Sequence, residues 1–180
     1  MDTRMWISQV DEITAQYKVA FGTMGEKALN KKPSEGEWSI GQNLEHLISV
    51  SQSYYSIPDK IRAKDYKLSR VAQWSFFAKT VGNMILGSVE HTRKRKVKTF
   101  PVWEPSTTSE NPNVYREFIA EQEQLKAWIN SIKDLLDQEV VIGSPANKNI
   151  CYKLSKALDI IVEHQRRHFE QCREVKERLH

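Results

Sequence analysis

The last part of the chain carries the pattern that most constrains the fold, because its inward positions recur every three or four residues without interruption. Such spacing places these side chains on one face of an α-helix, and that face must be buried against other elements. The pattern predicts one long helix from about Tyr152 to the chain end. Its inward positions are Leu154, Ala157, Leu158, Ile161, Val162, Gln165, Phe169, Cys172 and Val175.

Three further amphipathic runs predict helices over residues 2–30, 37–56 and 113–138. Gly22 and Gly25 weaken the first of these helices, but the apolar pattern continues through them. Pro33 ends that helix, and Pro58 closes the second. Residues 140–150 predict a loop, and no convincing strand pair is present. Four amphipathic helices in 180 residues predict an all-α fold, a four-helix bundle that forms a single domain over residues 1–180.

The connection between the second and third helices is long, spanning residues 58–111. Apolar residues at helical spacing between Val71 and Val89 predict an extra helix or helical arm within it. The short links elsewhere make the first and second helices antiparallel, and likewise the third and fourth. A connection of this length allows a crossover, so the predicted order is up-down-down-up.

Composition limits the class of protein. Charged residues make up 28% of the chain, the mean hydropathy is −0.59, and no apolar run is long enough to cross a bilayer. The two cysteines, Cys151 and Cys172, form no disulfide framework, and no apolar signal region opens the chain. A cytoplasmic protein without membrane contact is therefore expected.

The net charge of +4 has its clearest source in the basic run from Arg93 to Lys98. Such a run can contact phosphates. Aromatic residues do not interleave with it, however, and no known nucleic-acid-binding motif surrounds it. The run therefore indicates a solvated connector, and a nucleic-acid partner is not expected.

The long last helix carries His164 and His168, one turn apart on the same side. Two imidazoles at this spacing can chelate one divalent metal if a third donor approaches. The alternative is a pair of partly buried, hydrogen-bonded histidines. His46 in the second helix is the candidate third donor. It lies away from the apolar positions Leu44 and Ile48, so a metal bound there is expected in a groove beside the core, near solvent.

The segment from Glu37 to Leu47, with Trp38 and Ser39 ahead of His46, resembles the second-helix signature of the DinB/YfiT-like metalloprotein superfamily. The pair His164 and His168 resembles the last-helix motif of that superfamily. Residues 100–105 are similar to the end of the arm found in one of its branches. The resemblance implies an up-down-down-up bundle in which His46, His164 and His168 bind one divalent metal, zinc or nickel, and in which homodimers are common. His91 and His180 match no ligand of the family and are expected at the surface.

Three imidazoles with an open coordination position can activate water for hydrolysis or hold a thiol as thiolate. Some members of the superfamily are S-transferases that use a low-molecular-weight thiol. A metal-dependent hydrolase or thiol S-transferase acting on a small molecule is therefore expected, and the alternative is a non-enzymatic metal- or ligand-binding scaffold. Gln42, one turn before His46, is a candidate to orient a metal ligand or to bind substrate, and the alternative is an ordinary exposed glutamine. Glu45 and Glu163 are expected to point away from the imidazoles, and Trp38 and Tyr55 to pack in the bundle.

Overall fold

The computed structural model describes residues 2–68, 99–105 and 110–179, and four long helices dominate it, as the sequence predicts. The long helices are α1 (Arg4–Phe21), α3 (Ile40–Gln52), α5 (Val114–Ser131) and α7 (Leu154–Leu179). The shorter elements are α2 (Glu26–Asn30), α4 (Ile57–Arg62), a 3-10 turn (Pro101–Trp103), α6 (Lys133–Asp137), β1 (Val141–Gly143) and β2 (Cys151–Lys153). The predicted all-α four-helix bundle is confirmed.

Contacts along α1 establish the direction of its two neighbours. The Trp6 indole donates to Asp159 near the start of α7, and the Lys176 ammonium group near its end donates to the Ala20 carbonyl oxygen at the end of α1. These two helices therefore run parallel. Asp11 pairs with Lys126, near the end of α5, whereas the later Tyr17 ring packs on Phe118, near its start. Helices α1 and α5 are therefore antiparallel.

Contacts along α3 complete the topology. Asn43 and His46 meet His168 and His164, respectively, so α3 and α7 are antiparallel. Helix α3 also packs along α5, and α1 packs against both α5 and α7. The chain thus follows the predicted up-down-down-up order, with α3 placed between α5 and α7.

An aromatic layer fills the centre of the bundle around Tyr17 of α1. Its ring lies 5.6 Å from Phe21, 4.6 Å from Phe118 and 5.1 Å from Phe169, measured between centroids. The tilted and edge-to-face arrangements are those that aromatic quadrupoles favour. Because these rings come from α1, α5 and α7, the layer joins three of the four helices without involving the histidines.

The prediction of one unbroken first helix over residues 2–30 is wrong. Helix α1 ends at Phe21, Gly22 follows it, and α2 begins after Gly25, whose backbone is extended. Two glycines within four residues lower helix stability enough for the chain to turn there. Between α2 and α3, Gly36 has a φ of +79°, a left-handed conformation that glycine adopts without steric cost.

Other boundaries are also shifted from their predicted positions. Helix α3 ends at Gln52, and Pro58 opens α4 instead of closing the second helix, because proline is well tolerated in the first turn of a helix. The predicted third helix is interrupted at Ile132, where φ is −102° and ψ is 11°.

The prediction that no strands pair is wrong. Strands β1 and β2 form a short antiparallel hairpin, with Ile142 opposite Tyr152 and Gly143 opposite Cys151. The hydroxyl of Tyr66 accepts a hydrogen bond of 2.8 Å from the Gly143 amide. Three residues per strand are too few to show a period of two, so the sequence carries no clear signal for the hairpin.

Several predictions concern residues outside the described ranges. The helical arm between Val71 and Val89, the basic run from Arg93 to Lys98, and His91 and His180 are in this group. Within the described ranges, no helix combines the length and apolar character needed to cross a membrane. Cys151 and Cys172 are both buried and form no disulfide.

Gln122 offers a test of the core. Its side chain is fully buried in α5, and both of its amide atoms lack a hydrogen-bond partner among the described residues. Replacing Gln122 by Met keeps the volume and removes the unpaired polar atoms, so the free energy of unfolding should rise by about 1–3 kcal/mol. Urea denaturation followed by circular dichroism measures the change. A loss of stability would show that the amide is satisfied in solution.

Candidate metal centre

Helices α3 and α7 bring His46, His164 and His168 together, as the sequence predicts. The Nε2 atom of His164 lies 3.3 Å from Nε2 of His46 and 3.1 Å from Nε2 of His168. One nitrogen from each of the three rings falls within 4.8 Å of the other two. Among the described residues, these three form the group of side chains that could hold a metal ion.

Asn43 determines which nitrogen of His168 faces this group. The Asn43 amide nitrogen donates to the Ser39 carbonyl oxygen over 2.8 Å, which leaves the amide oxygen 2.7 Å from Nδ1 of His168. An amide oxygen only accepts, so Nδ1 of His168 carries the proton and Nε2 keeps its lone pair. Because Asn43 lies three residues before His46, both side chains project from α3 towards α7.

A main-chain carbonyl does the same for His46. Nδ1 of His46 lies 2.7 Å from the carbonyl oxygen of Trp103, in the 3-10 turn. The carbonyl oxygen can only accept, so Nδ1 is again the protonated nitrogen. Nε2 of His46 therefore also presents a lone pair to the group. A partner on the outer nitrogen that sets ring orientation is typical of metal-ligating histidines.

The spacing of the nitrogens fits a small divalent ion. Tetrahedral coordination with metal–nitrogen bonds of about 2.05 Å separates ligand nitrogens by about 3.3 Å, close to the two observed distances. In the metal-free state, the one proton that His164 can place on Nε2 serves one neighbouring lone pair at a time. A cation would satisfy all three nitrogens. The donor set of neutral imidazoles suits zinc and nickel.

The centre is more deeply buried than predicted. His46 is 2% exposed and His168 is 6% exposed, whereas His164 is partly buried. The expectation of a site in an open groove near solvent is wrong for His46, because the helical wheel does not show what packs over its flank. Burial lowers the pKa of His46 below its usual value, although the Trp103 carbonyl acts in the opposite direction.

Burial also lowers the pKa values of His164 and His168 well below the usual range. The neighbouring imidazoles and the positive charge of Arg167 add to this effect by disfavouring further positive charge. The three rings are therefore held in the neutral form that binds metal.

Trp38 forms an aromatic wall beside the histidines. Its ring centroid lies 5.1 Å from that of His46, and 6.2 Å from that of His168 with only 18° between the planes. Trp38 packs, as the sequence predicts, but it packs against the site. Tyr55 packs in the bundle instead: its hydroxyl donates to Glu121, and its ring packs on Trp128.

Gln42 takes part in the capping box that begins α3. Its side-chain oxygen accepts from the Ser39 backbone N–H over 3.1 Å, and the Gln42 backbone N–H donates to the Ser39 hydroxyl over 3.1 Å. This contact fixes the residue at which α3 begins, and therefore the position of His46 in the first turns of that helix. Glu163 forms an ion pair with Arg166, and neither Glu45 nor Glu163 belongs to the described metal-binding group.

Two partners of the imidazoles were missed by sequence reasoning. Asn43 carried a usable signal, because a polar residue three positions before a histidine shares its helix face. Trp103 carried none, because a main-chain carbonyl has no signature in the sequence. Its distance of 57 residues from His46 also removes any local pattern.

Comparison with known proteins supports this description. A sequence model of the DinB superfamily matches residues 9–172, which include all three histidines. YuaE of Bacillus subtilis (strain 168), itself uncharacterised, is 28% identical over 157 residues, which cover 87% of this chain and 88% of YuaE.

Among solved structures, the fold is similar to that of YfiT from Bacillus subtilis. YfiT is described as a probable metal-dependent hydrolase with an unusual four-helix bundle topology. The two structures align with a TM-score of 0.60 and 20% sequence identity, covering 98% of this chain and 87% of YfiT. At this identity the similarity establishes the shared fold.

The lowered pKa values of His46 and His168 predict how stability depends on pH. The unfolded chain takes up protons first as the pH falls below about 6.5, so the metal-free protein should lose stability there. The loss is up to about 1.4 kcal/mol per pH unit for each imidazole, until the folded-state pKa is reached. Urea denaturation in chelator at about pH 7.5 and about pH 5 measures it.

His168→Asn provides the comparison for this experiment, since the variant lacks one of the titrating groups. Its loss of stability over the same pH interval should be smaller than that of the unaltered protein. Glu121, whose pKa burial raises, acts in the opposite direction in both proteins and cancels from the comparison. Equal losses would show that His168 is not held neutral by burial.

Proposed function

The chain belongs to the DinB superfamily, and from this premise we propose that it is a metal-dependent enzyme acting on a small molecule. The proposed ligands are His46, His164 and His168. The observation that carries the proposal is the convergence of their Nε2 atoms, two of them at 3.3 and 3.1 Å from the third. Three protein ligands leave a coordination position for water or substrate, as in catalytic metal sites.

The residues around the ligands have definable tasks. Asn43 and the Trp103 carbonyl hold two imidazoles in the tautomer that ligates through Nε2. Trp38 shields one side of the rings from water. A divalent metal bound there would supply Lewis-acid activation of water or of a thiol. His164, the most exposed of the three ligands, marks the side from which a substrate would approach.

Hydrolysis is the first candidate reaction. It is supported by the description of YfiT as a probable metal-dependent hydrolase, since YfiT shares this bundle topology. The three-imidazole set is suited to water activation at neutral pH.

Transfer to or from a low-molecular-weight thiol is the second candidate. The observation that favours it is the charge of the site: three imidazoles held neutral leave both positive charges of a divalent ion uncompensated by the proposed ligands. A thiolate would compensate part of this charge. A scaffold that binds metal without catalysis is the alternative to both reactions.

The proposal also covers the identity of the metal, the oligomeric state and the cellular location. We infer zinc or nickel as the metal, because borderline metals suit imidazole ligands. A homodimer and a cytoplasmic location are proposed from the family resemblance and the composition. Gln42 is proposed as a residue that supports the site without touching the metal, since its capping contact defines where α3 begins.

His164→Ala tests the ligand set. Removal of one of three ligands should weaken zinc binding by more than about 100-fold, because loss of a residue that only orients a ligand already costs roughly 10–100-fold. Helical content should persist, since the aromatic layer around Tyr17 does not involve His164. Competition with a chromophoric chelator measures affinity, and circular dichroism measures helicity.

Glu163→Ala is the matched control for this variant, because Glu163 neighbours His164 on α7 but lies outside the metal-binding group. It should bind zinc as the unaltered protein does. Unchanged binding by His164→Ala would contradict the ligand assignment, and a collapse of helicity would assign the histidine a structural role.

Enzymatic activity is tested by screening the zinc- and nickel-loaded protein against esters, amides, and electrophiles supplied with a small thiol. Activity should appear in one of these classes, disappear with chelator and return on re-addition of metal. Ester or amide turnover supports the hydrolase, and thiol consumption supports the transferase. Metal binding without turnover in any class would favour the scaffold.

A further inference from the structure

The 3-10 turn at Pro101–Trp103 is attached to α3 by a second contact besides the one to His46. We propose that Ser53 and Trp103 are positioning residues of the metal centre: the Ser53 hydroxyl anchors the Trp103 indole, and the anchored residue presents its carbonyl oxygen to His46. The inference rests on the proposed metal site and adds to it a pair of residues that do not touch the metal.

The anchor is a defined hydrogen-bond chain. The Trp103 indole nitrogen donates to the Ser53 hydroxyl oxygen over 3.2 Å. That hydroxyl donates its own proton to the Val50 carbonyl oxygen over 2.6 Å. A serine hydroxyl has one proton and two lone pairs. Because its proton is used on Val50, the oxygen is oriented to accept from the indole.

The two contacts of Trp103 fall on one face of α3. Ser53 follows His46 by seven residues, which is about two helical turns, so both side chains point in nearly the same direction. The Trp103 indole meets Ser53 while its carbonyl oxygen lies 2.7 Å from Nδ1 of His46. A single residue therefore contacts α3 through both its side chain and its carbonyl oxygen.

Two side chains on the outer side of the turn are exposed. Phe100 is 42% exposed and Val102 is 62% exposed, whereas the Trp103 side chain is partly buried and packs against the core. The Phe100 ring meets Trp103 edge-on at 5.9 Å. Backbone hydrogen bonds within the turn preserve its local shape, but they do not fix its distance from His46. The indole contact with Ser53 supplies that restraint.

Loss of the anchor would release the carbonyl oxygen that keeps the proton of His46 on Nδ1. The imidazole would then populate both tautomers and a wider range of orientations, and the tautomer protonated on Nε2 cannot ligate through that nitrogen. The expected effect is weaker metal binding without loss of a ligand. This pattern distinguishes a positioning residue from a ligand.

The first test compares Trp103→Phe, Ser53→Ala and the double variant. Each single variant should bind zinc about tenfold more weakly, at the lower end of the range for outer-shell changes. The double variant should be no weaker than either single one, because both changes break the same contact. Ser53→Thr retains the hydroxyl and should bind as the unaltered protein does.

Trp6→Phe is the matched control. It also removes an indole hydrogen bond, the 2.9 Å contact with Asp159 between α1 and α7, but one outside the metal-binding group. Zinc affinity should be unchanged in this variant. Equal weakening by Trp6→Phe, unaltered affinity in both Trp103→Phe and Ser53→Ala, or additive effects in the double variant would each overturn the inference.

The second test needs no metal. Long-range nitrogen–proton NMR spectra of the metal-free protein report which nitrogen of His46 carries the proton. The unaltered protein should show Nδ1 protonated, and Ser53→Ala should show a mixture of tautomers. If the protein binds no metal, the proposed function fails, yet this measurement still decides the role of the anchor. The same single tautomer in both proteins would refute that role.

Discussion

Each imidazole has two nitrogens, and this structure commits the outer one of His46 and of His168 to a fixed acceptor. The Trp103 carbonyl oxygen and the Asn43 amide oxygen each lie 2.7 Å from a protonated Nδ1. The consequence is electrostatic: unprotonated Nε2 atoms face a third histidine at 3.1 and 3.3 Å in surroundings that disfavour protonation. The one proton that His164 can place on Nε2 satisfies only one of these two lone pairs at a time, so a cation that joins the three nitrogens is favoured.

The bundle tolerates this arrangement because its stability comes from elsewhere. The ring layer around Tyr17 and the polar contacts of Trp6 and Lys126 connect α1 to α7 and α5, whereas His164 and His168 meet residues of α3. An unfavourable local cluster can persist when the surrounding packing over-determines it, and such clusters concentrate at functional sites. The separation of core and site also explains why loss of one ligand need not unfold the helices.

The limits of sequence reasoning follow from the range of each interaction. Helical periodicity is local and repeats many times, so the four helices and the shared face of His164 and His168 were predictable. The break after Phe21 depends on the balance between weak helix propensity and tertiary packing, and periodicity carries no measure of that balance. The depth of His46 and its carbonyl partner depend on a segment 57 residues away, which no local pattern encodes.

The crossover connection links topology to chemistry. Because the chain crosses over between α3 and α5, α3 is antiparallel to α7, and this direction matches the order of Asn43 and His46 to that of His168 and His164. The last described part of the same connection, residues 99–105, places Trp103 on α3 and its carbonyl oxygen on His46. A tight turn between α3 and α5 would make these two helices antiparallel and would carry no residue back to His46. The long connection is therefore part of the site as well as a route between helices.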